Sequence, residues 1–249
     1  MAEHTDRAEG PHSIRGFVAA IDAELRATGT PERAEHEKAY LKSELRHYGT
    51  SVPHIRSAVK AVSRQRPPLT HDQLIAVVNK LWSVPVHERR MAAVELLDLN
   101  SRLLQPPDIV LLERLLREAR TWALVDTLAA SVVGTLVQSN PELASVLDRW
   151  STDDDFWIRR SSLLALLPAL RLGEGDFDRF SVYADAMLEE KEFFVRKAIG
   201  WVLRETAKKR PTLVYEWLLP RAARASGVTV REAVKPLSAQ QRARVLAAR

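Results

Sequence analysis

Apolar residues recur three and four positions apart over most of the chain. The pattern covers residues 14–25, 52–62, 74–82, 91–104, 109–116, 124–137, 157–170, 193–207 and 213–218. That spacing lays an apolar stripe along one face of a helix and predicts an amphipathic helix at each segment. Several starts are marked. Thr30-Pro31-Glu32, Asn140-Pro141-Glu142 and Arg210-Pro211-Thr212 each set Pro at a first helical position, where its missing N–H leaves no bond unmade. Thr70-His71-Asp72-Gln73 and Ser238-Ala239-Gln240-Gln241 read as capping boxes. Long β-branched alternation and Asn-Gly hairpin signals are missing, so the predicted class is all-α. Residues 1–12, polar and holding Gly10 and Pro11, read as a flexible tail, and 13–249 as one domain.

Short connections make successive helices antiparallel neighbours. Alternate helices then start at His87, Trp122, Trp157 and Phe194, at steps of 35, 35 and 37 residues. A recurring step of that size predicts helix–turn–helix units stacked into a curved, HEAT-like solenoid. In register, the units align Arg89 and Arg90 with Arg159 and Arg160 and with Arg196 and Lys197; the unit between has Leu124 and Val125. Basic residues in successive layers of a concave face suit a phosphate backbone. The same residues also fit ion pairs with acids, or solvent on the convex side.

Composition narrows the chemistry. Hydrophobic residues at 46% and charged residues at 28% belong to a folded globular chain. With no cysteine, disulfides, thiolate metal sites, Fe–S clusters and cysteine nucleophiles are excluded. The N-terminus has no secretory pattern, and no uninterrupted apolar run of membrane-spanning length is present, so a cytoplasmic, bacterial-type protein without membrane contact is expected. The net charge of +5 is uneven: residues 191–249 carry 14 Lys+Arg against 4 Asp+Glu. Such a basic block suits a polyanion, although a solvated basic surface gives the same count.

One acid stands out. Asp126 is the only charge between Arg120 and Glu142, inside TWALVDTLAASVVGTL. A lone carboxylate in an apolar helix is costly to bury without a partner or a cleft. Trp122, four residues earlier, shares its helical face. Trp157 similarly shares a face with Arg160, and Trp201 lies two turns beyond Phe194. Two readings stay open: a core Trp beside a structural Asp–Arg pair, or an aromatic and acidic site for a cationic or sugar-like group. All seven histidines lie at or before residue 87, so Ser-His-Asp chemistry and His-based metal sites are not expected around 122–201. His47 and His54 fit one helix–loop face, with surface histidines the commoner case. Gly134 and Gly200 are isolated within helices, so no phosphate-cradling loop is present.

The segments carrying these residues resemble a known family, the AlkD-type DNA alkylation repair glycosylases built from HEAT-like repeats. EFFVRKAIGWVLRETAKKRP (192–211) is similar to the family's signature segment nearly residue for residue. FWIRRSSLL (156–164) resembles its Trp-x-x-Arg segment and TWALVD (121–126) its Trp-x-x-x-Asp segment. AYLKSELRHYGTSVPHIR (39–56) resembles its Tyr-containing helix and following loop. The resemblance covers roughly residues 13–240.

It implies that Asp126 is the catalytic carboxylate, that Trp122 and Trp201 hold the lesion nucleotide, and that Arg160 sits beside the acid and contacts the backbone. Tyr40 matches the family's N-terminal aromatic on the DNA-facing side. Arg159, Arg196, Lys197 and Arg90 are the remaining backbone candidates. The implied activity is monofunctional hydrolysis of the N-glycosidic bond of cationic N3- or N7-alkylated purines in duplex DNA, as in base excision repair. 3-methyladenine and 7-methylguanine are such lesions. It implies a stacked rather than flipped base, no cofactor, no metal and a monomer. Where the family often has Trp-Trp-Asp, this chain has Thr121-Trp122-Ala123. That departure leaves room for a member specialised for bulky adducts or branched DNA. A non-catalytic, nucleic-acid-binding HEAT-like module is the other alternative.

Overall fold

The structure is a computed structural model that describes residues 13–249; the tail expected at 1–12 lies outside the described residues. The chain divides into two compact units, one ending at Leu104 and one beginning at Gln105.

The first unit contains α1 (Ile14–Thr28), α2 (Pro31–Leu41), α3 (Val52–Arg64), α4 (His71–Trp82) and α5 (His87–Leu99). The start signals act as read. Thr30 caps α2 ahead of Pro31, and Thr70 with Gln73 closes a capping box on α4. Helices α1, α3 and α4 pack on α5, which is buried from His87 to Leu97 except at Arg90. A helix enclosed this way needs partners for its charges. Glu88, fully buried, accepts the backbone N–H groups of Tyr48, Gly49 and Thr50 at 2.9, 2.6 and 3.3 Å. Arg89 donates to Asp22 at 2.9 Å, and Arg56 grips Glu95 through two bonds of 2.8 and 2.7 Å. Helix α2 differs, because none of its residues is buried.

The second unit begins with α6 (Ile109–Ala119) and α7 (Trp122–Thr127). A π-helical turn (Leu128–Val133) leads without a break into α8 (Gly134–Ser139). Then come α9 (Ala144–Trp150), α10 (Phe156–Ala165), α11 (Leu167–Leu172), α12 (Phe177–Ala186), α13 (Phe193–Ala207), α14 (Pro211–Leu218), α15 (Gly227–Ala233) and α16 (Ala239–Ala247). Among the described residues the only β-type pairing is an isolated bridge between Arg46 and Val86. Helix α13 is the hub, with α10, α11, α14 and α15 packed on it.

The repeat step reappears as physical ties between layers. Arg149 and Trp150 reach back to Glu113 at 2.6 and 2.9 Å, and Arg117 reaches Asp153 at 2.6 Å. Lys197 reaches Glu232 at 2.7 Å, Trp217 reaches Ser181 at 2.6 Å and Arg221 reaches Asp185 at 3.0 Å. Each tie joins residues 35 to 37 apart. The fold is an all-α helical repeat.

Two predicted helices are shorter than their apolar patterns. The 157–170 segment breaks at Leu166, because Pro168 has no N–H for the ladder and its ring displaces the carbonyl one turn back. The 91–104 segment ends its α-helix at Leu99 and continues as a short 3-10 turn, Ser101–Leu103. The two isolated glycines serve packing. A Cβ on Gly134 would meet the Ala165 carbonyl at 2.8 Å, and one on Gly200 the Thr229 carbonyl at 2.9 Å, so each lets another helix approach its backbone. By length and composition alone, Trp122–Ser139 is the one described segment fit to cross a membrane. It packs on α10 and carries Asp126 near its start, as a core helix does.

Candidate active site

The site grows from the turn between α6 and α7. Arg120 takes a left-handed φ of 47°, which reverses the chain in one residue. Thr121 then starts α7, placing Trp122 and Asp126 one turn apart on the same face. On the neighbouring helix, Asp155 caps α10 by accepting the Trp157 N–H at 2.8 Å, which fixes the helix start and with it the height of Arg160.

Arg160 closes a bidentate fork on Asp126. Nε donates to Oδ1 and Nη2 to Oδ2, both at 2.8 Å. Nη1 donates to the Phe194 carbonyl at the start of α13. One guanidinium therefore joins α7, α10 and α13. Arg160 is only 2% exposed, and the Asp126 side chain 17%. Burial raises the Asp126 carboxyl above the ordinary aspartate value, and the Arg160 hydrogen bonds and charge offset only part of that. The result is an oriented acid with heightened proton affinity. A carboxylate offers about four lone-pair positions and the fork takes two, so acceptor capacity remains.

The aromatics sort differently. Trp157 is buried core, tilted against Phe156 and Phe194 with centroids 4.5 and 4.9 Å away. Trp122 and Trp201 are half-buried on α7 and α13, the two helices that flank α10 in the packing. Phe194 marks a repeat start and the face of Trp201 in the sequence; the structure adds its carbonyl on Arg160 and its ring 5.9 Å from that guanidinium. Thr121 is buried, and its hydroxyl has no hydrogen-bond partner.

The backbone candidates are engaged within the protein. Arg159 holds Glu190 at 2.7 Å and the carbonyls of Asp153 and Asp154 at 2.6 and 2.9 Å. Arg196 donates to the Glu190 carbonyl, and Lys197 is paired with Glu232. The remaining backbone candidate, Arg90, belongs to the first unit, as does the aromatic candidate Tyr40. Arg90 lies 4.9 Å from the ring centroid of Trp82, and Tyr40, near the end of α2, is 66% exposed. Of the two histidines, His54 is exposed as expected and bonds Ser51 at 2.8 Å, whereas His47 departs from a surface placement and stacks on buried His87 at 4.7 Å.

The fold is a helical repeat that carries a buried, arginine-clamped aspartate. The family described as DNA alkylation repair enzyme matches residues 21–237, and the chain belongs to it. Solved structures agree at the level of fold. A predicted DNA alkylation repair enzyme from Enterococcus faecalis superposes with a TM-score of 0.74 at 22% identity, over 85% of this chain and 98% of that one. AlkD2 from Streptococcus mutans gives 0.64 at 15% identity, over 91% and 100%. The smu.31 protein of Streptococcus mutans UA159 gives 0.56 at 16%, over the same shares. No curated protein matches the sequence.

Proposed function

We propose that this DNA alkylation repair enzyme is a monofunctional glycosylase for cationic N3- or N7-alkylated purines in duplex DNA, with Asp126 as its catalytic carboxylate. The observation that carries the reading is the Asp126–Arg160 fork: a buried, oriented acid whose proton affinity stays raised. An alkylated purine already bears a positive charge. When its C1′–N bond breaks, the bond electrons neutralise the departing base, so no general acid is required. Positive charge develops on the deoxyribose instead. Asp126 stabilises that oxocarbenium-like sugar and takes a proton from the water that adds to C1′. The half-buried faces of Trp122 and Trp201 add attraction for a cationic sugar and base. The base stays stacked, with the protein gripping the backbone and sugar from outside.

The test is release of free 7-methylguanine and 3-methyladenine from methylated duplex DNA, by wild type and Asp126→Asn side by side. Wild type is expected to release both bases, and Asp126→Asn to lose roughly two to three decades of rate while keeping its DNA affinity. Equal release by the two proteins refutes the role of the carboxylate. Intact binding without release by either favours a specialist for bulky adducts or a pure binding module.

A further inference from the structure

Three donor groups meet in the first unit, away from every residue used above for catalysis. Glu37 of α2, His47 of the loop that follows and Glu88 of α5 each bring one ligand atom, all within 4.8 Å of one another. Both ring nitrogens of His47 are shut off from solvent and have no hydrogen-bond partner, and the same holds for Nδ1 of His87. The His87 ring lies nearly parallel to that of His47, at 9°. A neutral imidazole has one N–H to donate and one lone pair to share, so His47 leaves both unmet, and an unmet buried polar group calls for an explanation. The second observation is the state of α2. It buries no residue, so apolar packing does not explain how it is held.

We propose that Glu37, His47 and Glu88 form a site for one first-row divalent cation of the Zn2+ type, which ties α2 and its loop to α5. The proposal is independent of the glycosylase reading. The donor set fits the ion: an imidazole nitrogen with two carboxylate oxygens suits Zn2+, Co2+ or Ni2+ rather than the all-oxygen shells of Mg2+ or Ca2+. Glu88 keeps one lone pair in reserve, because Oε1 accepts two backbone N–H groups and Oε2 only one. Arg33 holds Oε1 of Glu37 at 2.5 Å, which leaves the other oxygen for a ligand role. Ligands about 2 Å from a tetrahedral zinc ion stand about 3.3 Å apart, so closing this cluster from 4.8 Å on the metal takes side-chain shifts of about 1 Å. The stacked His87 ring holds the plane of the His47 ring. Tyr40 rides on the same helix as Glu37, so the ion would fix the position of that exposed aromatic.

The experiment uses the full chain, stripped with a chelator and titrated with Zn2+ by calorimetry and thermal unfolding. One equivalent is expected to bind. The melting temperature is expected to rise by roughly 5 °C at a free Zn2+ concentration about a hundred times Kd, and Mg2+ to leave it unchanged. Glu37→Gln removes a ligand from a helix with no buried residues, so folding is secure, and it is expected to weaken Zn2+ binding by more than about tenfold. His47→Ala is expected to abolish the stoichiometric site. His36→Ala, outside the cluster, is expected to keep it. Failure of wild type to bind one equivalent, or equal Zn2+ affinity in wild type, Glu37→Gln and His47→Ala, overturns the proposal.

Discussion

Replacing Arg160 by Met keeps the volume of the side chain and deletes its charge. The structure sets the size of the effect. Two hydrogen bonds of 2.8 Å to Asp126 are lost, together with the donation to the Phe194 carbonyl. Removing one partner of a buried ion pair costs about 3–5 kcal/mol, because the other charge stays buried alone. The bare carbonyl adds roughly 1 kcal/mol. The lower end applies to the pair, since Asp126 keeps some exposure, so the expected total is about 4 kcal/mol. For a chain of this size that lowers the melting temperature by roughly 10 °C.

The sign of the pH dependence identifies the cause. Asp126 already has a folded-state pKa above its ordinary value of 3.8, so folding favours its protonated form, and stability from this group is lost as pH rises through the folded value. Without Arg160 that value climbs further. The cost of Arg160→Met is therefore larger at pH 8 than at pH 5, where more of the acid is neutral. Asp126→Asn combined with Arg160→Met removes both charges and is expected to recover at least half of the loss. The assay is urea unfolding followed by far-ultraviolet circular dichroism at both pH values. A loss below about 1 kcal/mol, well under the buried-pair range, would refute the reasoning. So would a double variant no more stable than Arg160→Met.

Three further outcomes follow from the packing and the ion pairs. Gly200→Ala places a methyl 2.9 Å from the Thr229 carbonyl and from Glu232 Cβ, forcing α13 and α15 apart; thermal unfolding should show a loss of about 1–3 kcal/mol, and an unchanged melting temperature would contradict the close approach. Glu113, held down to about 2 mainly by Arg149, and Glu232, held at about 2 by Lys197 and its neighbours against its burial, stabilise the fold above the ordinary glutamate value of 4.5. That contribution drains as pH falls from there towards 2, so the melting temperature should drop steeply in this window and less steeply in Glu113→Gln. Lys197 shares Glu232 with Arg204 and Lys235, which leaves it dispensable there and able to turn to a phosphate. Duplex affinity should fall steeply with salt, and Lys197→Ala should reduce the log–log slope by about 1 in fluorescence anisotropy titrations; an unchanged slope would mean that Lys197 stays with its glutamate.

Legibility in the sequence followed the physics of each feature. Helices with one clean apolar face, such as α3 with Ile55, Ala58, Val59 and Val62, announce themselves by spacing. The repeat step was readable because alternate helix starts recur 35 to 37 residues apart, and the inter-layer partners, as in Glu113–Trp150 and Lys197–Glu232, keep that spacing. Helix α15 escaped because seven residues with Gly227 at the start and Val-Thr-Val behind it hold little helical propensity; packing against α13 holds it. Helix α12 was missed although Phe177, Phe180 and Tyr183 keep helical spacing behind the capping Asp176, a signal that was present. The π-turn after Asp126 has no signature in the apolar spacing, which runs through it as through an α-helix. At the site, Asp126 was visible as a lone acid in an apolar run. The Phe194 carbonyl on Arg160 was not, because a backbone acceptor has no residue-type signature. The engagement of Arg159, Arg196 and Lys197 was equally hidden: a basic column looks the same in sequence whether it faces phosphate or glutamate.

The choice between a structural and a catalytic Asp126 turns on a comparison inside the molecule. Asp22, Glu113, Asp148, Asp153, Asp185, Glu190, Glu205 and Glu232 all have basic partners, and every one is held below its ordinary value. Those pairs behave as stabilising ties, with the charged form of the acid preferred. Asp126 has a bidentate arginine and still lies above its ordinary value, because burial outweighs the pairing. Asp98 is also raised, by burial and then by the neighbouring charge of Glu95, and it has no such fork. A fold that needed only a tie between α7 and α10 would gain more from an acid placed like Glu113, part-exposed and flanked by two arginines. Asp126 instead has its charged form disfavoured by burial at the position where, under the proposed function, an oriented carboxylate would meet a developing cation and a proton. The arginine limits the cost without cancelling it, and that balance supports reading the pair as working chemistry.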